Sequence, residues 1–159
     1  MIFFYRVLTF FLFPIFIVIT YLRSFFNKED KKRFKEKISF KETFFPQNKK
    51  VFWIHAASIG ETNSVLPLIE EIIENNQEIF VLLTSTTLSS SELIKKKKLN
   101  KNNFQHRFFP LDVFFLVKKF LNHWKPELAI FVDSEVWPNY LIEISKRKIP
   151  LILLNGRIT

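Results

Sequence analysis

Between residues 51 and 154 five short apolar runs alternate with four stretches of helical periodicity, and few folds accept that order. Val51–Ala56, Glu78–Leu83, Gln105–Phe109, Leu128–Val132 and Leu151–Leu154 read as buried strands. After the first, Val65, Leu66, Leu68, Ile69, Ile72 and Ile73 fall on one helical face. Thr62, Asn63 or Ser64 can cap that helix, which places Pro67 in its first turn. Ser89–Lys98, a helix capped by Asp112 that runs through Trp124, and Pro138–Arg147 fill the other gaps. Each parallel crossover must be right-handed and cover one face. The expectation is therefore α/β: a five-stranded parallel, Rossmann-like sheet with helices on both sides.

A different pattern precedes it. Val7–Leu22 holds sixteen consecutive uncharged residues, and with Ile2–Tyr5 and Arg6 the apolar stretch reaches about 20, enough for a bilayer core. Tyr5 and Tyr21 stand where interfacial aromatics are expected, with Arg6 snorkelling outward. Arg23, Lys28, Lys31, Lys32, Arg33, Lys35 and Lys37 follow, against a single Arg before, so the positive-inside bias puts the chain after residue 22 in the cytoplasm. An uncleaved transmembrane anchor is favoured over an interfacial helix, and over a signal peptide, for which the run is long and ends without a small-residue cleavage site. The domains expected are an anchor helix over 1–23, a basic juxtamembrane helix or linker over 24–49, and the Rossmann-like domain over 50–159. Lys31, Lys32, Arg33 and Lys35 are the membrane-surface candidates, attracted to anionic head groups.

Composition narrows the chemistry. There is no Cys, hence no disulfide scaffold, thiol nucleophile or Cys-ligated metal. The three His share no metal-ligand spacing, and no metal is expected. The net charge of +9 sits largely in residues 23–50 and 95–107, while residues 51–94 hold six Glu and no basic residue. That is not the interleaving of basic and aromatic residues expected of a nucleic-acid surface, and no nucleic-acid partner is expected.

In an open parallel sheet ligands bind beyond the carboxyl ends of the strands. That rule selects 55–61, 84–87, 110–112, 133–138 and 155–157. Both glycines, Gly60 and Gly156, fall in this set, which suggests positive φ or close approach to a ligand. One Gly cannot build a phosphate-binding G-x-G-x-x-G turn, and Glu61 at a helix start repels an anion. Its carboxylate can take a proton from a hydroxyl, or simply complement the helix N-terminus. Asp133 and Glu135 are either a pair of acids for chemistry or the cap of a turn.

His55-Ala-Ala-Ser-Ile-Gly-Glu61, Leu66-Pro-Leu-Ile69, Pro110-x-Asp112, Ser134-Glu-Val-Trp-Pro-Asn139 and Asn155-x-Arg157 together resemble the 3-deoxy-D-manno-octulosonic acid (Kdo) transferases of lipopolysaccharide synthesis. The anchor followed by Lys28-Glu29-Asp30 is similar to that family's start. The resemblance implies the N-terminal half of a metal-independent, inverting GT-B glycosyltransferase without cofactor. It implies CMP-Kdo as donor, lipid IVA at the bacterial inner membrane as acceptor, and a single N-terminal pass with the soluble domain on the cytoplasmic side. It implies Glu61 as general base and Glu135 as second acid, with Ser58, Gly60, Thr86, Asn155 and Arg157 on the acceptor. Departures are Asp133-Ser134-Glu135 where the family has Glu-Thr-Glu, Leu88-Ser89-Ser90 after the Thr-rich loop, and Gly156 in place of Ala. The family's nucleotide-binding C-terminal domain is not found before Thr159. The expectation is a half-enzyme inactive alone, with a separately encoded C-terminal half as a candidate partner. The competing reading is a non-catalytic, membrane-anchored module for anionic lipid.

Overall fold

In the computed structural model, residues 1–41, 44–97, 99, 102–133 and 136–154 are described. The sheet is fully parallel, in the order β3-β2-β1-β4-β5. Its strands are β1 (Lys50–His55), β2 (Ile79–Ser85), β3 (Phe104–Phe108), β4 (Leu128–Val132) and β5 (Leu151–Leu154). The expected α/β fold with a preceding apolar helix is the observed one. Central strands are buried on both faces and read as continuous apolar runs; all seven residues of β2 are buried.

Alternation along the strands builds two cores. Trp53, Phe80, Leu82 and Phe131 face α4 (Phe114–Trp124) and α5 (Pro138–Lys146), packing with Phe120, Trp124, Tyr140 and Ile144. Ile54, Val81, Leu83 and Ile130 point the other way, with Val65, Ile69 and Ile73 of α2 (Ile59–Asn75) and Ile94 of α3 (Leu88–Lys96). Fully burying one such side chain contributes about 1.5–3 kcal/mol.

Helix starts depart from the sequence reading. α2 begins after Ser58, whose hydroxyl accepts from the N–H of Glu61 at 3.2 Å. Gly60 therefore lies inside the helix, and Pro67 sits well past its first turn. Asp112 does not cap α4, whose N-cap is Val113 with no side-chain bond. It caps α5 from across the sheet end, accepting from the N–H of Asn139 (3.1 Å) and of Tyr140 (3.2 Å). The reason is that Pro138 at the helix start leaves the next two N–H groups buried and in need of an acceptor.

α1 spans Ile2–Phe25, long and apolar enough to cross a membrane. It rests on the domain nonetheless. The Tyr5 hydroxyl donates to Asp112 Oδ2 at 2.8 Å, and Arg6 donates to Asn139 Oδ1 and Glu143 Oε1, each at 3.1 Å. Arg6 also stacks over Phe114, 3.9 Å from the ring centroid. Phe13 meets Phe115 edge-on and Tyr21 meets Phe34. Arg6 thus does not snorkel outward, and Tyr21 turns its ring to the protein, because the domain offers a carboxylate to one and an aromatic edge to the other.

The segment after α1 is folded onto the edge of the sheet around a single 3-10 turn, Phe34–Lys37. Phe34, Lys37 and Ile38 are buried. Lys31, Lys32 and Lys35 are exposed as expected of surface cations, but Arg33 is not among them. Its guanidinium bonds the Glu36 carboxylate (2.8 and 3.1 Å) and the carbonyl of His106 (2.7 Å). A planar fork of donors finds better partners in that partly buried cluster than in solvent.

Candidate functional site at the carboxyl ends of the strands

The loops after β1, β2, β3 and β4 converge, and a cavity of about 280 Å³ opens among them, lined by Lys37, Ala57, Thr86, Phe109, Pro110, Leu111, Asp112 and Trp137. Glu61 stands in the first turn of α2, bonded to Ala57 of the cavity lining. Its Oε2 accepts from the N–H of Ala57 at 2.8 Å, and its Oε1 from the Ser58 hydroxyl at 2.6 Å. With the Ser58 cap on the N–H of Glu61, this is a capping box shifted by one residue. The helix-complementing role is therefore real. It leaves capacity, because a carboxylate offers about four acceptor positions and two are filled.

Gly60 does not have positive φ, so conformational freedom is not its reason. A Cβ built there would meet only Ser58 Oγ, at 3.9 Å. A side chain there would occupy open space beside the first turn of α2. The left-handed turn lies instead at Asp133 (φ 57), directly after β4, where a short polar side chain tolerates it. This Gly-poor chain also uses Asn27, Asn48, Lys125 and Lys148 at positive φ.

Thr86 binds the loops to one another. Its hydroxyl donates to the carbonyl of Ala57 at 2.8 Å, its N–H to the same oxygen at 3.2 Å, and its own carbonyl accepts from Lys37 Nζ at 2.7 Å. Lys37, read from the sequence only as one cation of the positive-inside run, is a buried cation lining the cavity. It pairs with Glu29 at 2.5 Å, and the side chains are only 11% and 3% exposed. Burial lowers the Lys37 pKa, partly offset by Glu29. Alternating charge in a basic run gives no sign of such a pair; only packing on β3 creates it. Burial also raises the Asp112 pKa against the hydrogen bonds from Tyr5, Asn139 and Tyr140.

His55 is fully buried, stacked on Phe109 with centroids 3.9 Å apart, and its Nδ1 lies 3.0 Å from Thr84 Oγ1. Burial pushes its pKa down to about 3, so it stays neutral in the fold and does not relay protons at neutral pH. Glu135, Asn155 and Arg157, with Ser134 and Gly156, lie outside the described residues. Among the described residues no three His, Asp or Glu side chains come together in a metal-binding group.

Comparison with known proteins bears on this geometry. Residues 32–159 match the family described as "3-Deoxy-D-manno-octulosonic-acid transferase (kdotransferase)". A Rickettsia bellii protein named 3-deoxy-D-manno-octulosonic acid transferase is 37% identical over 98% of this chain and 36% of its own length. A probable mitochondrial 3-deoxy-D-manno-octulosonic acid transferase of Arabidopsis thaliana is 36% identical over 69% of the chain and 24% of its own length. A Haemophilus influenzae protein of the same name is 29% identical over 67% and 25%. The chain thus spans about a third or less of the length of these relatives.

Proposed function

The chain belongs to the Kdo transferase family, in the part matched by its N-terminal domain, and we propose that it forms the acceptor side of an inverting glycosyltransferase. The reaction is transfer of Kdo from CMP-Kdo to lipid IVA in lipopolysaccharide synthesis, at the cytoplasmic face of the bacterial inner membrane. The observation that carries this reading is the Glu61 carboxylate, held by Ser58 and by Ala57, a residue that lines the cavity beyond the strand ends. The acceptor hydroxyl gives its proton to Glu61 while its oxygen attacks the anomeric carbon of the donor. The bond from that carbon to the CMP phosphate breaks, and CMP leaves.

Ser58 and Thr86 bound the acceptor pocket, and the small Gly60 lets the sugar approach the helix start. Glu135 acts as the second acid, with Asn155 and Arg157 on the acceptor. Exposed Lys31, Lys32 and Lys35 receive its phosphates and the surrounding anionic lipid. Transfer also needs a donor-binding part of the kind the longer relatives have room for, encoded with this chain or separately. No bound cofactor takes part.

The test is transfer with CMP-Kdo and lipid IVA, by the chain alone and with a donor-binding half supplied. No product alone and product on mixing are expected; product from the 159 residues alone overturns the division of labour. Binding of anionic vesicles that is indifferent to lipid IVA, with no transfer on mixing, would favour the non-catalytic lipid-binding module instead.

A further inference from the structure

α1 turns a mixed face to the domain and an apolar one away from it. Its less exposed stripe runs the whole length of the helix at three- and four-residue spacing, with Tyr5, Arg6 and Thr9 near the start, the apolar Leu12, Phe13, Phe16 and Ile17 in the middle, and Thr20 and Ser24 near the end. Thr9, Thr20 and Ser24 are buried against the protein. Both threonines also satisfy their hydroxyls on the helix's own carbonyls, at Arg6 and Phe16. The outermost line is Phe4, Phe11, Val18 and Phe25, at seven-residue intervals and 75%, 71%, 57% and 79% exposed. A helix on a water-soluble domain shows the opposite arrangement.

We propose that α1 lies in the plane of the membrane, docked lengthwise on the α/β domain with its outer face in one leaflet, and does not cross the bilayer. The contacts decide between the two geometries. They occur at the start of the helix (Tyr5 to Asp112, Arg6 to Glu143), in the middle (Phe13 to Phe115) and at the end (Tyr21 to Phe34, Arg23 to Glu29 at 2.8 Å). From Arg6 to Arg23 the helix advances about 26 Å. A crossing helix would carry Tyr5 and Arg6 that far from the domain. It would leave Arg6 alone toward the far leaflet and Glu143 without that partner. An in-plane helix keeps every contact and still removes its aromatic face from water.

The occupant of that face is a lipid leaflet with anionic head groups, because exposed Lys31, Lys32 and Lys35 follow the end of the helix. One consequence concerns the site: the Tyr5 partner, Asp112, lines the cavity, so the membrane surface is set beside the acceptor opening. The inference rests on the membrane association proposed above and goes beyond it in geometry.

The chain contains no Cys, so an introduced one reports alone. Single variants Phe4→Cys, Phe11→Cys, Val18→Cys and Phe25→Cys, spin-labelled in phosphatidylethanolamine–phosphatidylglycerol vesicles, give depth by power saturation. Equal depths, about 5–10 Å into the head-group and acyl boundary, are expected at all four. A profile deepest at residues 11 and 18 overturns the in-plane helix and leaves the transferase reading intact. Spin–spin broadening that tracks protein concentration would show a second copy on this face, and also overturns it. Fully aqueous labels would remove the membrane association itself. A cysteine inserted after Met1, in the inner membrane of a Gram-negative host, should react with an impermeant maleimide only after spheroplasts are broken. Reaction in intact spheroplasts overturns the proposal.

Discussion

The guanidinium of Arg33 donates to Nδ1 of His106 at 3.3 Å, which fixes the tautomer of that ring. Arginine has only donors, so Nδ1 must be the lone pair and Nε2 must bear the proton, which goes to Ser85 Oγ at 2.9 Å. The neutral ring is enforced by its surroundings: burial, then Arg33, Arg107 and Lys95, push its pKa down to about 3. One imidazole thereby ties the segment after α1 to the end of β2.

His55 and His106 both have folded pKa values of about 3 against an ordinary 6.5. Between those values the unfolded chain binds protons that the fold refuses. Stability is therefore present above about pH 6.5 and is lost as pH falls through that window, by up to about 1.4 kcal/mol per pH unit for each histidine. Urea unfolding in detergent from pH 7 to 4 should show this slope, and His106→Gln should reduce it. An unchanged slope in that variant would place the effect elsewhere.

Glu29→Gln leaves Lys37 buried without its carboxylate, whereas Lys37→Met leaves Glu29 its second partner, Arg23. Glu29→Gln should therefore cost about 3–5 kcal/mol and Lys37→Met less, while the double variant should cost less than their sum. A double-mutant cycle by chemical denaturation measures the coupling. Because Lys37 also holds the carbonyl of Thr86, amide exchange at Thr86 and Thr87 should rise in both single variants.

Asp112 satisfies two buried N–H groups of α5 and the hydroxyl of Tyr5. Asp112→Ala should destabilise by about 2–4 kcal/mol, since both donors lose their acceptor. Tyr5→Phe should cost about 1 kcal/mol. Thermal unfolding of both would show whether the α5 cap outweighs the tie to α1.

Glu61→Gln keeps one acceptor oxygen, for the N–H of Ala57, replaces the other with an amide N–H that can donate to the Ser58 hydroxyl, and removes the basic carboxylate. Stability should change by less than about 1 kcal/mol, and Ser58→Ala should cost about 1 kcal/mol through the lost cap. Transfer by the chain together with its donor-binding half should be abolished by Glu61→Gln or Glu61→Ala. Retained turnover would remove Glu61 from the base role.

Strand positions were legible because buried parallel strands announce themselves as short β-branched and aromatic runs; β4 and β5 match to the residue. Helix starts were less so. Ser58 caps α2 one turn earlier than Thr62 because Glu61 can reach back to Ala57, a reciprocal bond that local spacing permits but does not demand. Asp112 shows the general limit. Its neighbour in sequence is α4, yet its carboxylate serves a helix that begins 26 positions later, since only tertiary packing brings Pro138 to it. Lys37 and Arg33 were hidden for the same reason. A run of lysines reads as one solvated face until a sheet edge supplies partners to some of them.

The partners of α1 are encoded far from it: Asp112 lies 107 residues after Tyr5, and Glu143 lies 137 after Arg6. At translation rates of about 5–20 residues per second, α1 exists for roughly 5–30 s before these groups have been synthesised. During that interval Tyr5 and Arg6 have no partner in the domain. On the in-plane arrangement proposed above, the bilayer is then the first binding partner of the helix and the folded domain the second, and Arg6 closes the arrangement last.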